Sequence, residues 1–329
     1  MERKTTLEQM TSLENLLVAA HRARRGKSRR PDVEAWHLRE ESHLLELREQ
    51  LLAGTWQPQP YRLFLIREPK HRQIAAAPYG DRVVHHALCN VMNPLLQRRF
   101  LARSYSCQEG KGTTAARECC RRLANRHRYV LKCDVRKFYD SIPHGVLSRK
   151  LAGLLHCPGL LRVAQAILHS YHATPGRGLP IGNLTSQWWG NFYLDGLDHW
   201  IAEQQGHGSY LRYTDDFLIF GDDKARLWEL RTGVVAHLES LELELALPKS
   251  RLLACREGVP FCGFRFLPCL RPRVLGGTKR RFEARHARQI KEGDTARLTA
   301  STFAWYQFSK EGNTEGLRQA WATVRPQPG

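Results

Sequence analysis

The sequence contains no apolar run long enough to cross a lipid bilayer, and Met1–Lys4 does not lead into a secretory hydrophobic segment. It also has no Cys-x-x-Cys pair among its nine cysteines and no His-x-x-x-His spacing among its 15 histidines. A zinc site or a disulfide framework is therefore not expected. We expect a soluble protein of the cytoplasm, without a membrane partner, in which most cysteines are small buried side chains.

Negative charge is scarce relative to positive charge. The chain has 51 Lys and Arg against 32 Asp and Glu, which gives a formal net charge of +19. Such an excess is the electrostatic signature of a polyanion partner. A membrane surface fits less well, because no long basic helix with a clean apolar face stands out. The length of 329 residues and the hydrophobic content of 42% allow two or three subdomains around a sizeable core.

Hydrophobic spacing predicts helices and strands in an order without a regular βαβ period, which favours an α+β fold over a doubly wound sheet. Helices are predicted within about 7–52, 81–95, 115–125, 148–170, 186–204 and 226–241, and a basic helical bundle from about 279 to 321. Strands are predicted at 61–77, as two strands and a basic turn, and at 129–134, 245–247 and 261–266. Asp81 is expected at or near the N-cap of its helix.

A basic segment punctuated by Gly and Pro, His21–Pro31, separates the predicted N-terminal helices. Its cations are suited to contact a phosphate backbone. A solvated linker is the equally simple interpretation of the same charge run.

Two adjacent carboxylates, Asp215 and Asp216, lie between two short apolar runs. The pattern predicts a β-hairpin with Thr214 and both aspartates at or near its turn. An acidic surface turn is one interpretation, because Asp is common in turns. Binding of a divalent cation is the other, because paired charges at a buried hairpin tip are costly without compensation. Mg²⁺ prefers such hard oxygen ligands.

A third carboxylate, Asp134, ends the predicted strand 129–134. If this strand pairs beside the hairpin, Asp134, Asp215 and Asp216 converge at one edge of a sheet. Three carboxylates in that arrangement can hold two Mg²⁺ ions for in-line nucleotidyl transfer. Around an acidic metal centre, a strongly basic chain indicates synthesis or cleavage of nucleic acid.

Four segments, in order along about half of the chain, resemble motifs of reverse transcriptases. They are Leu131–Ile142 (the first palm motif), Tyr213–Asp216 (the Tyr-x-Asp-Asp box), Leu247–Ser250 (a lysine motif) and Phe261–Phe264 (a primer grip). The resemblance implies a right-hand polymerase with fingers, an antiparallel palm sheet and a helical thumb. The expected boundaries are 1–60 for an N-terminal helical extension, 61–128 for the fingers, 129–266 for the palm with inserted fingers helices at about 148–185, and 267–329 for the thumb.

One further segment, Pro180–Gln187, has the form Ile-Gly-x-x-x-Ser-Gln. Group II intron and retron-like enzymes usually show Gln-Gly-x-x-x-Ser-Pro there, whereas the variant resembles reverse transcriptases of diversity-generating retroelements. That resemblance implies cDNA synthesis from a retroelement template RNA, error-prone at template adenines, for targeted gene diversification. The alternatives are another bacterial reverse transcriptase, such as a retron, intron-derived or phage-defence enzyme, and a catalytically silent RNA-binding scaffold.

The resemblance also implies roles for single residues. Asp134, Asp215 and Asp216 are the expected catalytic residues and, with main-chain groups of Val135, the ligands of two Mg²⁺ ions. The expected nucleotide-binding residues are Lys70, Arg72, Tyr139, Ile181, Gly182, Gln187 and Lys249, and the expected primer-grip residues are Cys262 and Gly263. Core packing stays open as the role of Tyr139 and Ile181, and plain solvent exposure as that of Lys70, Arg72 and Lys249.

Particular functions follow for three of these residues. Tyr139 is expected to be the steric gate against a ribose 2′-hydroxyl, and Lys249 to neutralise the leaving pyrophosphate or act as a general acid. Ile181 stands where a polar amide is usual, and losing that directional contact lowers discrimination between nucleotides. The expected partners are the template RNA, an RNA/DNA primer–template, deoxynucleoside triphosphates and an accessory variability protein, a small basic helical oligomer.

Overall fold

The computed structural model describes residues 6–66, 71–204, 206 and 208–322. Its helices are α1 (Leu7–Thr11), α2 (Leu13–Arg24), α3 (Pro31–His37), α4 (Glu40–Ala53), α5 (Tyr79–Arg99), α6 (Thr113–Arg126), α7 (Phe138–Ser141), α8 (His144–Leu154), α9 (Pro158–His169), α10 (Leu184–Tyr193), α11 (Asp195–His199), α12 (Lys224–Ser240), α13 (Gly276–Glu292), α14 (Thr295–Ser309) and α15 (Glu315–Ala322). Its strands are β1 (Arg62–Ile66), β2 (Arg72–Ala76), β3 (Tyr129–Asp134), β4 (Tyr210–Tyr213), β5 (Asp216–Gly221), β6 (Arg251–Ala254), β7 (Val259–Phe261), β8 (Phe264–Phe266) and β9 (Arg273–Val274). The mixture of helices and antiparallel strands confirms the predicted α+β class.

A four-stranded antiparallel sheet in the order β4-β5-β3-β6 lies at the centre of the fold. The predicted strand 129–134 and the predicted acidic hairpin are both confirmed, and β5 of the hairpin pairs directly with β3. Because side chains alternate along a strand, each strand contributes to two different cores. Leu131 belongs to the large helical core on one face, and Val130 to a second core formed with α6, β7 and β8 on the other.

The N-terminal helices pack as a layer against α5. Helices were predicted within 7–52, and α1 to α4 confirm them, with the basic segment forming the end of α2, the connection 25–30 and the start of α3. Helix α5 is the central element of the large core, because Val84, Ala87 and Leu88 are completely buried along it. None of the described helices combines the length and the apolar character that crossing a membrane requires.

The first turn of α5 differs in detail from the expectation for Asp81. Helix α5 begins at Tyr79 after Pro78, so Asp81 lies inside the first turn rather than at the cap. Its carboxylate accepts a hydrogen bond from the main-chain N–H of Gln59 at 2.8 Å. Asp81 therefore ties the segment before β1 to the helix instead of capping it.

Two other predicted elements also need correction. The helix predicted over 148–170 is two helices, α8 and α9, because Pro158 has no amide hydrogen to continue a helix and begins a new one. The strand predicted around 245–247 is confirmed only at Leu245, which forms an isolated antiparallel bridge with Val135. Residues 247–249 form a short 3₁₀ turn, and the strand that pairs with β3 is β6. Pro248 cannot donate to a strand ladder at that position.

The C-terminal segment is helical, as predicted. Helices α13 and α14 pack against each other through the rings of Phe282 and Trp305, which are stacked with their centroids 4.3 Å apart. Both side chains are buried, so they form a local core. The three-stranded sheet β7-β8-β9 connects this segment to the central sheet.

Candidate active site

The three predicted carboxylates lie at one end of the central sheet. The register of β3 and β5 places Asp134 directly opposite Asp216, and Asp215 precedes Asp216 in the turn of the hairpin. The main-chain N–H of Val135 donates to the carbonyl oxygen of Asp215 at 3.3 Å, which ties this turn to the end of β3. Thr214 has φ +60°, so the turn contains a left-handed residue.

Two lysines neutralise two of these carboxylates. The Nζ atom of Lys132 lies 2.6 and 2.7 Å from the two carboxylate oxygens of Asp216. Lys249, a residue that the sequence singled out, forms an ion pair with Asp134. Lys132 was not predicted, although it stands two residues before Asp134, where the strand period places both side chains on one face.

The carboxylates destabilise one another as anions. Burial raises the pKa of Asp215, the negative charge of Asp134 raises it further, and Lys249 and Arg72 oppose both effects. Burial also raises the pKa of Asp216, against the ion pair with Lys132. Each pKa therefore responds to the neighbouring acidic groups, as expected for carboxylates that converge.

The donor set fits a divalent cation by its chemistry. Within the described residues, no three acidic, His or Cys side chains stand in a metal-binding cluster. Two of the carboxylates, Asp216 and Asp134, form ion pairs with lysines. Carboxylate oxygens are nevertheless the hard donors that Mg²⁺ prefers. Burial, and to a lesser extent the neighbouring carboxylates, raise the pKa values of Asp215 and Asp216, and a bound cation would oppose both effects.

A cavity of about 340 Å³ opens beside the carboxylates. It brings together residues that are distant in the sequence, from β2, the start of α7, the loop before α10 and the acidic turn. The lining includes the predicted residues Arg72, Tyr139, Ile181, Gly182, Gln187, Asp215 and Asp216. Lys249 is not part of this lining, and Lys70 lies outside the described residues.

The loop before α10 is fixed against β2. The main-chain N–H of Ala75 donates to the carbonyl oxygen of Ile181 at 3.2 Å. Gly182 has φ +118°, and a Cβ atom there would lie 3.1 Å from the side chain of Ile74. Glycine suits this backbone conformation and this close approach, so it helps to set the position of Ile181 in the cavity.

Tyr139 and Gln187 are held by contacts that the sequence did not indicate. The main-chain N–H of Leu179 donates to the carbonyl oxygen of Tyr139 at 2.8 Å. Burial raises the pKa of the Tyr139 phenol well above its usual value, so the ring presents a neutral hydroxyl. The Cys107 thiol donates to Oε1 of Gln187 at 3.3 Å. This bond leaves the amide nitrogen of Gln187 able to donate to another group.

A buried ion pair is hydrogen-bonded to the acidic turn. Arg212 and Asp198 are completely buried and joined by a hydrogen bond of 2.7 Å from Nε to Oδ1. A second nitrogen of Arg212 donates to the carbonyl oxygen of Thr214 at 2.9 Å and to Oδ1 of Asn191 at 3.0 Å. Because both charges are paired and hydrogen-bonded, this arrangement fixes the conformation of the turn.

The predicted primer-grip residues form the turn between β7 and β8. Cys262 has φ +42° and Gly263 has φ +87°, so both adopt left-handed conformations. The carbonyl oxygen of Gly263 accepts from the main-chain N–H of Leu275 at 3.0 Å. Burial, together with the negative charge of Asp216, raises the pKa of the Cys262 thiol to about 12. The turn therefore lies near the carboxylates, although it does not line the cavity.

The chain is similar in sequence to known proteins. The chain is 24% identical over 267 residues to Protein YkfC of Escherichia coli (strain K12), covering 67% of this chain and 70% of that protein. It is 20% identical over 171 residues to the Putative COX1/OXI3 intron 1 protein of Saccharomyces cerevisiae, covering 49% of this chain and 20% of the yeast protein.

A solved structure of similar fold is telomerase from Candida albicans in complex with the TWJ fragment of telomeric RNA. Its TM-score is 0.50 at 13% identity, covering 74% of this chain and 50% of the telomerase chain. This likeness shows the right-hand polymerase fold that the sequence motifs imply. The chain thus spans about half the length of the telomerase chain.

The family comparison gives the assignment. The family model described as reverse transcriptase (RNA-dependent DNA polymerase) matches residues 66–266, which is more than half of the chain. All of the predicted palm motifs, from β3 to the turn between β7 and β8, fall within that match. The chain belongs to the reverse transcriptase family, the RNA-dependent DNA polymerases.

Proposed function

We propose that this chain is the reverse transcriptase of a diversity-generating retroelement, which copies a structured template RNA into cDNA with frequent errors at template adenines. Ile181 is the observation that carries the proposal, because it lines the cavity beside Asp215 and Gln187. Its apolar side chain offers no hydrogen bond to an incoming nucleotide. Ser186 and Gln187 line the same cavity, and their pairing is the feature that resembles this group of enzymes.

In this proposal Asp134, Asp215 and Asp216 hold two Mg²⁺ ions, with a main-chain group of Val135. Bound there, the ions would supply the charge that activates the primer hydroxyl and stabilises the leaving oxygen. Lys132 keeps Asp216 oriented by its double contact with the carboxylate. Lys249 lies next to Asp134, where it can neutralise or protonate a departing pyrophosphate.

The cavity residues bind and orient the deoxynucleoside triphosphate. Arg72 donates charge-assisted hydrogen bonds to the phosphates, together with Lys70. Tyr139 is partly buried and packs against the large core, so its ring is suited to exclude a ribose 2′-hydroxyl. Gly182 allows close approach of the backbone, and the amide of Gln187 donates toward the nucleotide or its template base.

In this proposal the remaining parts take the roles of fingers, palm and thumb in a right-hand polymerase. Residues 61–128 are the fingers, 129–266 the palm with fingers helices inserted at about 148–185, and 267–329 the thumb, preceded by the extension 1–60. Cys262 and Gly263 hold the primer end. An RNA/DNA primer–template fills the cleft, an accessory variability protein binds the enzyme and its RNA, and the reaction takes place in the cytoplasm.

Primer extension separates an enzyme from an RNA-binding scaffold. The wild-type protein is expected to extend a DNA primer on an RNA template with Mg²⁺ and deoxynucleotides. Asp215→Ala is expected to reduce extension at least about 1,000-fold, because one of three charge-stabilising ligands is lost. RNA binding should stay unchanged in that variant. If the wild type binds RNA but extends no primer under any condition, the scaffold is the correct interpretation.

Sequencing of the cDNA tests the proposed subtype. Ile181→Gln restores an amide at the cavity, so the frequency of errors at template adenines is expected to fall several-fold. Ile181→Leu is the matched control, since it changes the side chain at the same place without adding a polar group. An unchanged adenine error frequency in Ile181→Gln would leave the polymerase assignment intact and remove the error-prone subtype.

A further inference from the structure

A second cavity, of about 510 Å³, lies at the opposite end of β3 from the carboxylates. We call it the rear groove, and Arg126, Arg128, Tyr129, Lys224, Arg256 and Glu257 are the lining residues that matter here. Tyr129 begins β3 and Asp134 ends it. Five residue steps of about 3.3 Å place the rear groove roughly 17 Å from the catalytic end of the strand.

The rear groove carries an excess of positive charge. Its lining contains the four cations Arg126, Arg128, Lys224 and Arg256, all exposed, and a single carboxylate, Glu257. None of the four cations forms an ion pair with a carboxylate in the part of the chain that the structure describes.

A second exposed acid, Asp222, contacts the main chain at the rim of the groove. Its two carboxylate oxygens accept from the main-chain N–H of Arg128 at 2.8 Å and contact Nδ1 of His127 at 3.1 Å. The second nitrogen of His127 lies 2.7 Å from the hydroxyl of Ser209. Asp222 therefore fixes the main chain at the rim. The main-chain hydrogen bond from Arg128 lowers the pKa of Asp222 and the charge of Arg128 helps to lower it, but the two side chains do not form an ion pair, so the guanidinium stays available to a ligand.

An aromatic ring positions two of the cations. Nζ of Lys224 lies 4.9 Å, and the guanidinium carbon of Arg128 5.5 Å, from the centre of the Tyr129 ring. Such contacts are attractive and reduce the freedom of both long side chains. Tyr129 is itself fixed by pairing with Gly221 on one side and Ala254 on the other. The cations thus face the groove from a rigid platform.

The chemistry of this surface selects a polyanion. Several unpaired cations along an open groove match successive phosphodiesters, whose binding releases counterions. RNA is the polyanion that this family copies, and the cleft at the carboxylates is separated from the rear groove by the length of β3. We propose that the rear groove binds the sugar–phosphate backbone of template RNA outside the primer–template duplex. The proposal requires RNA binding by this chain but neither the retroelement subtype nor catalysis.

The test compares two charge-reversal variants of the full chain. Arg128→Glu/Lys224→Glu changes the rear groove, and Arg149→Glu/Arg162→Glu is the matched control, with the same change in net charge on exposed positions of α8 and α9. Two probes are used: a short RNA/DNA primer–template that fills only the cleft, and the same primer–template carrying a long single-stranded RNA extension. Dissociation constants are measured over a series of salt concentrations, and melting temperatures check folding.

The groove variant is expected to bind the extended probe at least about tenfold more weakly than the wild type does. The slope of log Kd against log salt concentration should also be smaller by about 1 to 2, because two phosphate contacts are lost. Affinity for the short probe and primer extension on it should match the control. The uncharged pair Arg128→Gln/Lys224→Gln should show the same pattern, more weakly. Equal affinities of the groove variant and the control variant for the extended probe would overturn the proposal. An acidic protein would then be the remaining candidate partner of the rear groove. If the wild-type protein extends no primer, the proposed polymerase function is wrong. The binding comparison still tests whether the rear groove binds RNA.

Discussion

Asp81 shows at the scale of one residue how a buried charge sets a pH dependence. Burial raises its pKa to about 6, against the hydrogen bond from Gln59. Because the folded pKa lies above the unfolded value of about 4, the folded state holds more protons in this range, and stability falls as pH rises from about 4 to about 6. A shift of about two units corresponds to roughly 3 kcal/mol.

Asp81→Asn is therefore expected to raise the free energy of unfolding at pH 7 by about 1–3 kcal/mol and to remove the decline between pH 4 and 6. The Asn oxygen can still accept from the N–H of Gln59. Urea unfolding at several pH values measures the effect, and Glu49→Gln, exposed on α4, is the control for loss of one charge. A loss of stability at pH 7 in Asp81→Asn would mean that the ionised carboxylate is favourable in the fold.

The same scale shows which site residues could be predicted from the sequence. Asp134, Asp215 and Asp216 could be predicted, because a strand end and a hairpin turn are recognisable from the residues next to them in the sequence. Lys132 could also have been predicted, because alternate residues of a strand lie on the same face, but it was not singled out. Cys107 contacts Gln187 across 80 sequence positions, and no local pattern indicates such a pair.

At the scale of elements, the turn between β7 and β8 depends on a glycine for two reasons. Gly263 has φ +87°, and a Cβ atom there would lie 2.8 Å from the ring of Phe308 on α14. Gly263→Ala must therefore both strain the backbone and displace a ring that contacts Phe264.

We expect Gly263→Ala to lower the free energy of unfolding by about 2–4 kcal/mol. Gly26→Ala is the matched control, because Gly26 has φ +71° and its Cβ would meet no atom within 4 Å. The control isolates the backbone cost, expected to be about 1 kcal/mol. Chemical unfolding of both variants measures the difference, and equal losses would show that Phe308 moves aside without cost.

Elements with internal periodicity were predicted well, and those that depend on partners were not. The helices near the N-terminus follow from the spacing of Leu side chains. Strand β6, Arg251–Ala254, has no β-branched residue and is a strand because it pairs with β3. The break between α8 and α9 was visible in Pro158, since proline interrupts a continuing helix.

At the scale of the whole molecule, the sequence indicated the right-hand polymerase but not how its parts are joined. The motifs specify β3 and the two hairpins, whereas the packing of α6 against β7 and β8 joins side chains more than 130 positions apart. Arg117 on α6 is one of the residues that connect this core to the C-terminal helices. Its guanidinium lies 5.1 Å from the ring centre of Phe264 and 5.3 Å from that of Phe308, and it pairs with Glu311 at 3.2 Å.

We expect Arg117→Met to loosen the C-terminal helices from the sheet, because the ion pair and both ring contacts are lost together. The free energy of unfolding should fall by about 1–3 kcal/mol. In primer extension, the average cDNA should become shorter, while addition of the first nucleotide should keep its rate, since Arg117 does not line the cavity beside the carboxylates.

Arg121→Met is the matched control, because Arg121 lies one turn further along α6 and forms an exposed ion pair with Glu118. Exposed pairs of this kind contribute at most about 1 kcal/mol, so stability and product length should change little. Arg117→Lys separates charge from shape: it keeps a cation near Glu311 but not the planar guanidinium that lies beside both rings. Shorter products in Arg117→Lys as well would assign the coupling to the stacked guanidinium. Equal product lengths in Arg117→Met and Arg121→Met would show that the C-terminal helices stay in place without Arg117.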